Sequence, residues 1–287
     1  MSIVATHRTL LSRLLPDDKP DDLSVRHGQF HVVVIGSDRV VCLPRTPAAA
    51  ERLPGRVTSL RALAGLNFGF RTPEPLLQGG AHGTDETPFL VLTRIPGEPL
   101  ENDALNDDRV VGTVAAQYTT LLSDLARAGT DEMVRALLPQ ALEGRWHQFA
   151  QSVRAELFQL MSHNGRLRAE RELAALDNLP HLTQAVVHGD LGAENVLWEW
   201  RDGLPHLAGV LDWDDVTLSD PAEDLAAISA SYSPEFLERV LAPGNWSSHA
   251  LPARIATIRD TFALQQALYA IRDGDEEELA DGLTNYR

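Results

Sequence analysis

From Asp107 to Arg127 the apolar residues Val111, Val114, Tyr118, Leu121, Leu122 and Leu125 recur at spacings of three and four, the signature of one helix face. Similar patterns run over Trp146 to Met161, Leu167 to Leu176, Pro221 to Ser229, Glu235 to Leu241 and Arg254 to Ile271, so the chain beyond about residue 99 reads as mainly helical. The earlier part has a different rhythm. "FHVVVIGSDRVVCL", Phe30 to Leu43, holds two β-branched runs around Gly36, Ser37 and Asp38, which predicts a hairpin. A helical stretch is expected from about Ala48 to Leu66, and "PEPLLQGG" and "TPFLVLTRI" read as two further short strands. The fold class expected is therefore α+β. A small antiparallel sheet lobe with one helix occupies residues 1–94, a connector 95–98, and a larger helical lobe 99–287. A cleft between such lobes is where ligands usually bind.

With 287 residues and 44% hydrophobic content the chain can bury a sizeable core. The formal net charge of −16 disfavours nucleic acid, whose phosphates would be repelled, and suits either plain solubility or a cationic small-molecule or peptide partner. Cys42 is the only cysteine, which excludes an internal disulfide and a cysteine-based metal site. The opening "MSIVATHRTLLSRLLPDD" breaks its apolar residues with His7, Arg8 and Arg13, and so reads as an amphipathic helix rather than a signal peptide. No apolar run is long enough to span a membrane, and the chain is expected to be cytoplasmic.

Chemistry concentrates in "VVHGDLGAENVLWEW", Val186 to Trp200. "NVLWEW" and "HLAGVLDW" flank "RDGLP", whose Asp202 and Gly203 supply a turn, so they should pair as a hairpin. Asn195 would then lie opposite Asp212, with Asp190 one short loop away. Two oxygen ligands for a hard cation and a carboxylate able to accept a hydroxyl proton are the parts phosphoryl transfer needs. Taken one at a time, Asp190 as a turn residue, Asn195 as a strand start and Asp212 as a cap are adequate readings. Together, at these spacings, the three are more specific.

"HGDLGAEN" has the HxDxxxxN spacing of a kinase catalytic loop, and "LDWD" stands where kinases carry the metal-binding aspartate. With "GVLDWDDVTLSDPAEDLA" and "FLVLTRIPGEPL", most of the chain resembles the aminoglycoside phosphotransferase family of protein-kinase-like antibiotic kinases. Within the family, "LLSRLLP", "GQFHVVVIGSDRVVC", "GLNFGFRTP" and "ALQQALYAIRDGDEEELADG" are similar to the branch acting on cationic cyclic peptides of the tuberactinomycin type.

The resemblance implies a two-lobed kinase-like fold, ATP and Mg2+ as cofactors, and transfer of the γ-phosphate to a hydroxyl, a serine in such peptides. It makes Asp190 the base that orients and deprotonates the acceptor, has His188 brace the loop, and gives Asn195 and Asp212 to magnesium. It further implies that main chain at Thr93 to Ile95 meets the adenine and that the loop at Gly28 and Gln29 covers the phosphates.

Asp214 and Asp215 are candidates for gripping a cationic acceptor, as are Asp273 and Asp275 in "RDGDEEELADG". That acidic run also fits a solvated helix start after Gly274. Asp220 reads as a helix N-cap and Asp224 as a first-turn acid, so both are expected to shape the site.

Two departures stand out. Kinases place a strand lysine on the phosphates and pair it with a helix glutamate. Here Cys42 falls at the lysine and Arg56 at the glutamate. Either the site binds without turnover or another cation serves the phosphates, Arg56 or Arg45. Pro54 suits the first position of a helix, which would set Arg56 in a first turn, against the helix dipole. An arginine lying over the lobe with its head in solvent is the bland alternative. A metal-dependent hydrolase using His188, Asp190, Asp212 and Asp214 as ligands is the reading from another class, and it leaves Asn195 and the sheet lobe unexplained.

Overall fold

The computed structural model describes residues 2–28, 30–80, 86–243, 246 and 250–287. Helices α1 (Ile3–Thr6) and α2 (Arg8–Leu14) lead into strands β1 (Ser24–His27), β2 (His31–Ile35) and β3 (Arg39–Pro44). Helix α3 (Pro47–Ala64), strands β4 (Pro75–Gly79), β5 (Phe89–Thr93) and β6 (Glu98–Pro99), and helix α4 (Asp108–Ala128) follow. Beyond them come α5 (Glu132–Leu137), α6 (Arg145–Glu156), α7 (His163–Asp177), β7 (Ala185–Val187), the hairpin β8 (Val196–Arg201) and β9 (Leu204–Val210), and β10 (Thr217–Ser219). The chain closes with α8 (Ala222–Ser231), α9 (Pro234–Leu241), α10 (Leu251–Arg259), α11 (Phe262–Asp273) and α12 (Glu276–Gly282). Two compact units result. One holds Met1–Asp124, Ala136–Leu138 and Glu194–Asp215; the other holds Leu125–Arg135, Pro139–Ala193 and Val216–Arg287.

In the first unit an antiparallel sheet runs in the order β1-β2-β3-β5-β4. Ile35 pairs with Val40 across the Gly36–Asp38 turn, as the two β-branched runs require. Alternation along the strands splits the sheet into two faces. Val32, Val34, Val41, Leu43, Phe89 and Val91 close one core with Leu11, Leu14 and Leu15. Cys42, on the opposite face, is also buried. The N-terminal segment is two helices rather than the single amphipathic one its pattern suggests, because the chain breaks at His7. Strand β1 has the polar sequence SVRH and no alternation to betray it.

Helix α3 begins at Pro47, capped by the Thr46 hydroxyl accepting from the Ala49 amide at 3.1 Å. Pro54 is therefore interior, and Arg56 lies mid-helix rather than in a first turn. The cation at Arg56 therefore escapes the unfavourable end of the helix dipole, since its charge stands clear of the terminal turn.

The β8–β9 hairpin belongs to this first unit for local reasons. Gln117 of α4 donates to the Pro205 carbonyl at 2.8 Å and accepts from the Leu207 amide at 2.7 Å. The Arg71 carbonyl approaches so closely that a Cβ on Gly209 would lie 2.5 Å from it. On the other side Gly97, at φ 100°, passes against the backbone of Trp198.

In the second unit, α6, α7, α11 and the C-terminal turn share a core of Ala150, Val153, Leu157, Leu173, Leu264 and Tyr286. The single helix expected over Arg254 to Ile271 is two, α10 and α11. Thr261, fully buried between them, turns its hydroxyl back to the Ile258 carbonyl at 2.7 Å and interrupts the ladder.

Candidate active site

Strand β7 pairs antiparallel with β10 and delivers the chain into His188, Gly189 and Asp190. His188 is completely buried, and its Nδ1 accepts the Asp190 amide at 3.2 Å, which fixes the proton on the other ring nitrogen. Gly189 takes φ 91°, a conformation that favours glycine. Beneath the turn, the buried Asp224 of α8 accepts the His188 amide at 2.9 Å and the Gly189 amide at 3.0 Å. Asp190 is held at the exposed tip of this bracket. Asp224 thus shapes the loop, as a first-turn acid was expected to, but by holding backbone amides rather than through the helix dipole alone. Asp220 accepts the Ala222 amide at 3.0 Å and is also paired with Arg254 at 2.8 Å. Sequence spacing gave no notice of that buried arginine.

Burial pushes the Asp224 carboxyl up to about 7, while the two amides pull it back. A carboxyl with a raised folded pKa removes stability as pH climbs from its unfolded value through the folded one, because the unfolded chain ionises first. Asp224→Asn cannot ionise, so relative to the variant the parent should lose stability between pH 4 and pH 7 as measured by thermal melts. A parent that gains on the variant over that range would show the amides winning over burial. Independently of pH, the variant loses one acceptor facing a buried amide, a cost of about 1–3 kcal/mol.

The second half of the constellation sits at one end of the β8–β9 hairpin in the first unit. Asp202 and Gly203 form its turn at φ 51° and 76°. Val196 pairs with Val210, and the Leu211 amide donates to the Asn195 carbonyl at 2.8 Å, so Asn195 faces Leu211 and Asp212 is the next residue out. A bulge between Leu197 and Trp198 sets that register. Asp212 adopts φ 58°, in the left-handed region aspartate tolerates better than most residues. Trp213, 1% exposed, anchors the turn by donating its indole N–H to the Val210 carbonyl at 2.9 Å and stacking on Phe70.

Asn195 and Asp212 offer an amide oxygen and a carboxylate, a hard donor set that suits magnesium, which commonly takes one or two protein ligands beside phosphates and water. Among the described residues no three His, Cys, Asp or Glu side chains converge as a metal cage. The four-ligand set the hydrolase reading requires therefore has no geometric support.

Asp214 packs inside the first unit, its Oδ1 2.5 Å from Arg56 Nε and its Oδ2 3.6 Å from His31 Nδ1. Burial drives the Asp214 carboxyl up to about 6, against the pull of Arg56. Burial, then Arg56, lowers His31 to about 4 and keeps it neutral. Burial also raises the Cys42 thiol, so it too is uncharged beside Arg56. His31 is the member of this group that the sequence did not single out. A histidine facing inward at the start of an apolar strand was its one visible sign. Arg56 is thus turned inward, not laid over the lobe with its head in solvent.

Arg45 donates to the Gly28 carbonyl at 3.0 Å, and the Gly28 amide donates to the His31 carbonyl at 2.9 Å, which closes the turn between β1 and β2. Gln29 lies outside the described residues. Thr93 ties its amide to the Glu74 carbonyl at 3.0 Å and its hydroxyl to the Glu74 amide at 2.9 Å. Ile95 is buried with Leu197 and Ala208. Asp215 is exposed. Asp275 caps α12, accepting the Glu277 and Glu278 amides after Gly274 ends α11 at φ 74°. That capping is what a solvated helix start requires; Asp273 is the last residue of α11.

Residues 22–255 match the phosphotransferase enzyme family, APH, and the chain belongs to that family. It is 66% identical over 287 residues, covering 100% of both chains, to viomycin phosphotransferase of Streptomyces vinaceus. Among solved structures it superposes on the GDP and kanamycin complex of APH(2″)-IIia with a TM-score of 0.81 at 19% identity, covering 98% of this chain and 96% of that one. A macrolide 2′-phosphotransferase from Brachybacterium faecium, as apoenzyme, gives a TM-score of 0.71 at 21% identity over 99% and 98%. The fold is accordingly the two-lobed, kinase-like α+β architecture of antibiotic phosphotransferases, and the protein is a phosphotransferase.

Proposed function

We propose that this phosphotransferase moves the γ-phosphate of ATP, with Mg2+, to a serine hydroxyl of a cationic cyclic peptide antibiotic of the viomycin and capreomycin type, and so confers resistance. The observation that carries the reading is the full-length 66% identity to viomycin phosphotransferase.

Asp190 accepts the acceptor proton and His188 braces its loop. Asn195 and Asp212 hold magnesium, which when bound neutralises charge on the phosphates. The nucleotide is received by the sheet of residues 1–94 and by the β8–β9 hairpin, which groups with that sheet although it lies within the stretch 99–287. Ile95 and the main chain back to Thr93 meet the adenine, and Gly28 and Gln29 cover the phosphates. Arg45 and Arg56 serve the nucleotide site by anchoring the turns around it. Asp214, paired with Arg56, is less suited to gripping an acceptor than Asp215 and Asp273, and Asp275 contributes as a helix cap. The enzyme works in the cytoplasm, where it meets antibiotic after entry; among the described residues no helix is long and apolar enough to cross a membrane.

Mass spectrometry of viomycin, capreomycin and an aminoglycoside after incubation with protein, ATP and magnesium tests the reading. A phosphate-sized gain on a peptide antibiotic supports it; nucleotide binding with no gain on any acceptor would point to a module that binds without turnover. The formal net charge of −16 adds a kinetic expectation. The Michaelis constant of the cationic peptide should rise with salt more steeply than that of a neutral acceptor, since screening shortens the reach of the attraction to about 8 Å at physiological ionic strength. A salt-independent constant, measured from 50 mM upward, would argue against electrostatic capture.

A further inference from the structure

The cluster around Arg56 has more polar content than packing alone needs. Arg56 is held by three side chains: Asp214 at 2.5 Å, His31 at 3.3 Å and the buried Cys42 on the adjoining strand face. Asp214 is the carboxylate in direct contact with Arg56, and Asp212 stands at longer range. Arg56 Nε and Asp214 Oδ1 are close, yet neither makes a well-directed hydrogen bond, so charge rather than geometry holds them. Burying both ions costs several kcal/mol each, about what their attraction returns, so such a pair is a poor device for stability.

Its position suggests a better use. Asp214 closes the stretch that leaves β9 and is already pinned by the Leu211 amide on Asn195 and by Trp213 on Val210 and Phe70. Between these fixed points, at φ 58°, stands Asp212. The pair supplies the outgoing anchor.

We infer that Arg56 and Asp214 form a positioning pair that holds the Asp212 turn in its magnesium-binding shape, an ion pair with the cation on helix α3 and the anion on the metal-binding turn. Kinases pair a strand lysine with a helix glutamate. Here the helix supplies the positive partner, and Cys42, at the strand position, is neutral filler. The inference rests on the assignment of Asp212 to magnesium.

Calorimetric binding of ADP, with magnesium and separately in chelator, tests it in Arg56→Gln, Asp214→Asn, the double variant and Arg56→Lys, with a melting curve for each. Partners that orient a metal ligand typically change metal affinity by about 10–100-fold when removed. Each neutral variant should therefore lose about tenfold or more in Mg·ADP affinity while metal-free ADP affinity stays near the parent's. The double variant should lose no more than the worse single one, and Arg56→Lys, which keeps the charge, should stay close to the parent. Lower melting temperatures with unchanged Mg·ADP affinity would overturn the proposal in favour of a packing role. Equal loss of ADP affinity with and without metal in Arg56→Gln alone would overturn it in favour of a direct phosphate contact. A lysine variant as impaired as the glutamine one would also overturn it. A parent that binds Mg·ADP no better than ADP removes its basis. Because no acceptor is involved, failure to phosphorylate a peptide antibiotic would defeat the substrate reading and leave this result standing.

Discussion

Replacing Asp190 by asparagine is expected to lower turnover by about 10²–10⁴-fold, the usual contribution of a positioned base, while Mg·ADP affinity stays near that of the parent. The substitution is nearly isosteric, so the loop should keep its shape. His188 Nδ1 still accepts the residue-190 amide, and Asp224 still accepts the amides of His188 and Gly189. What changes is chemical: an amide cannot take the acceptor's proton. The base is needed because a hydroxyl attacks poorly while protonated, and the carboxylate also aims it at phosphorus. Steady-state kinetics beside calorimetry separates the two effects. Retention of most turnover by well-folded Asp190→Asn would remove the base assignment. A matching loss of Mg·ADP binding would move Asp190 into the nucleotide site.

Much of this arrangement could be read before any coordinates. The β2–β3 and β8–β9 hairpins announced themselves because β-branched runs and glycine turns are local signals, and Asn195 and Asp212 came to the same hairpin end for that reason alone. Long amphipathic helices such as α4 were visible in the same way. Features set by contacts distant in sequence were not. Asp224 grips amides 36 and 35 residues away, and its burial left no trace in the helix pattern. Arg254 reaches Asp220 across 34 residues. Arg56 is visible in the sequence because it stands at an aligned position with the wrong charge, but it lies mid-helix and not in the first turn that Pro54 suggests. Pro54 reads as a helix start, whereas Thr46 and Pro47 supply the actual one. The partner that explains it, Asp214, lies 158 residues on in the chain, beyond any periodicity argument.

Asp212 allows the metal role and the backbone role to be separated by two substitutions. Its φ of 58° is a conformation in which an ordinary residue is strained by about 1–2 kcal/mol, whereas asparagine and aspartate are better tolerated there. Asp212→Asn should therefore melt near the parent temperature, with the Leu211, Trp213 and Asp214 anchors intact. It removes one negative charge from the proposed magnesium site, and a metal ion stabilises phosphoryl transfer by several kcal/mol, so turnover should fall by about 10²-fold or more. Mg·ADP affinity should fall with it, and metal-free ADP affinity should not. Asp212→Ala should show the same kinetic defect together with an added loss of stability of about 1–2 kcal/mol from the strained backbone. Asn195 offers the matching control. Its carbonyl anchors Leu211 whatever its side chain, so Asn195→Ala should weaken magnesium-nucleotide binding without releasing the hairpin end. If Asp212→Asn binds Mg·ADP as the parent does, the metal ligand is elsewhere and the turn is structural. Should Asp212→Asn instead melt as low as Asp212→Ala, its carboxylate charge, not the backbone angle, is what the turn requires.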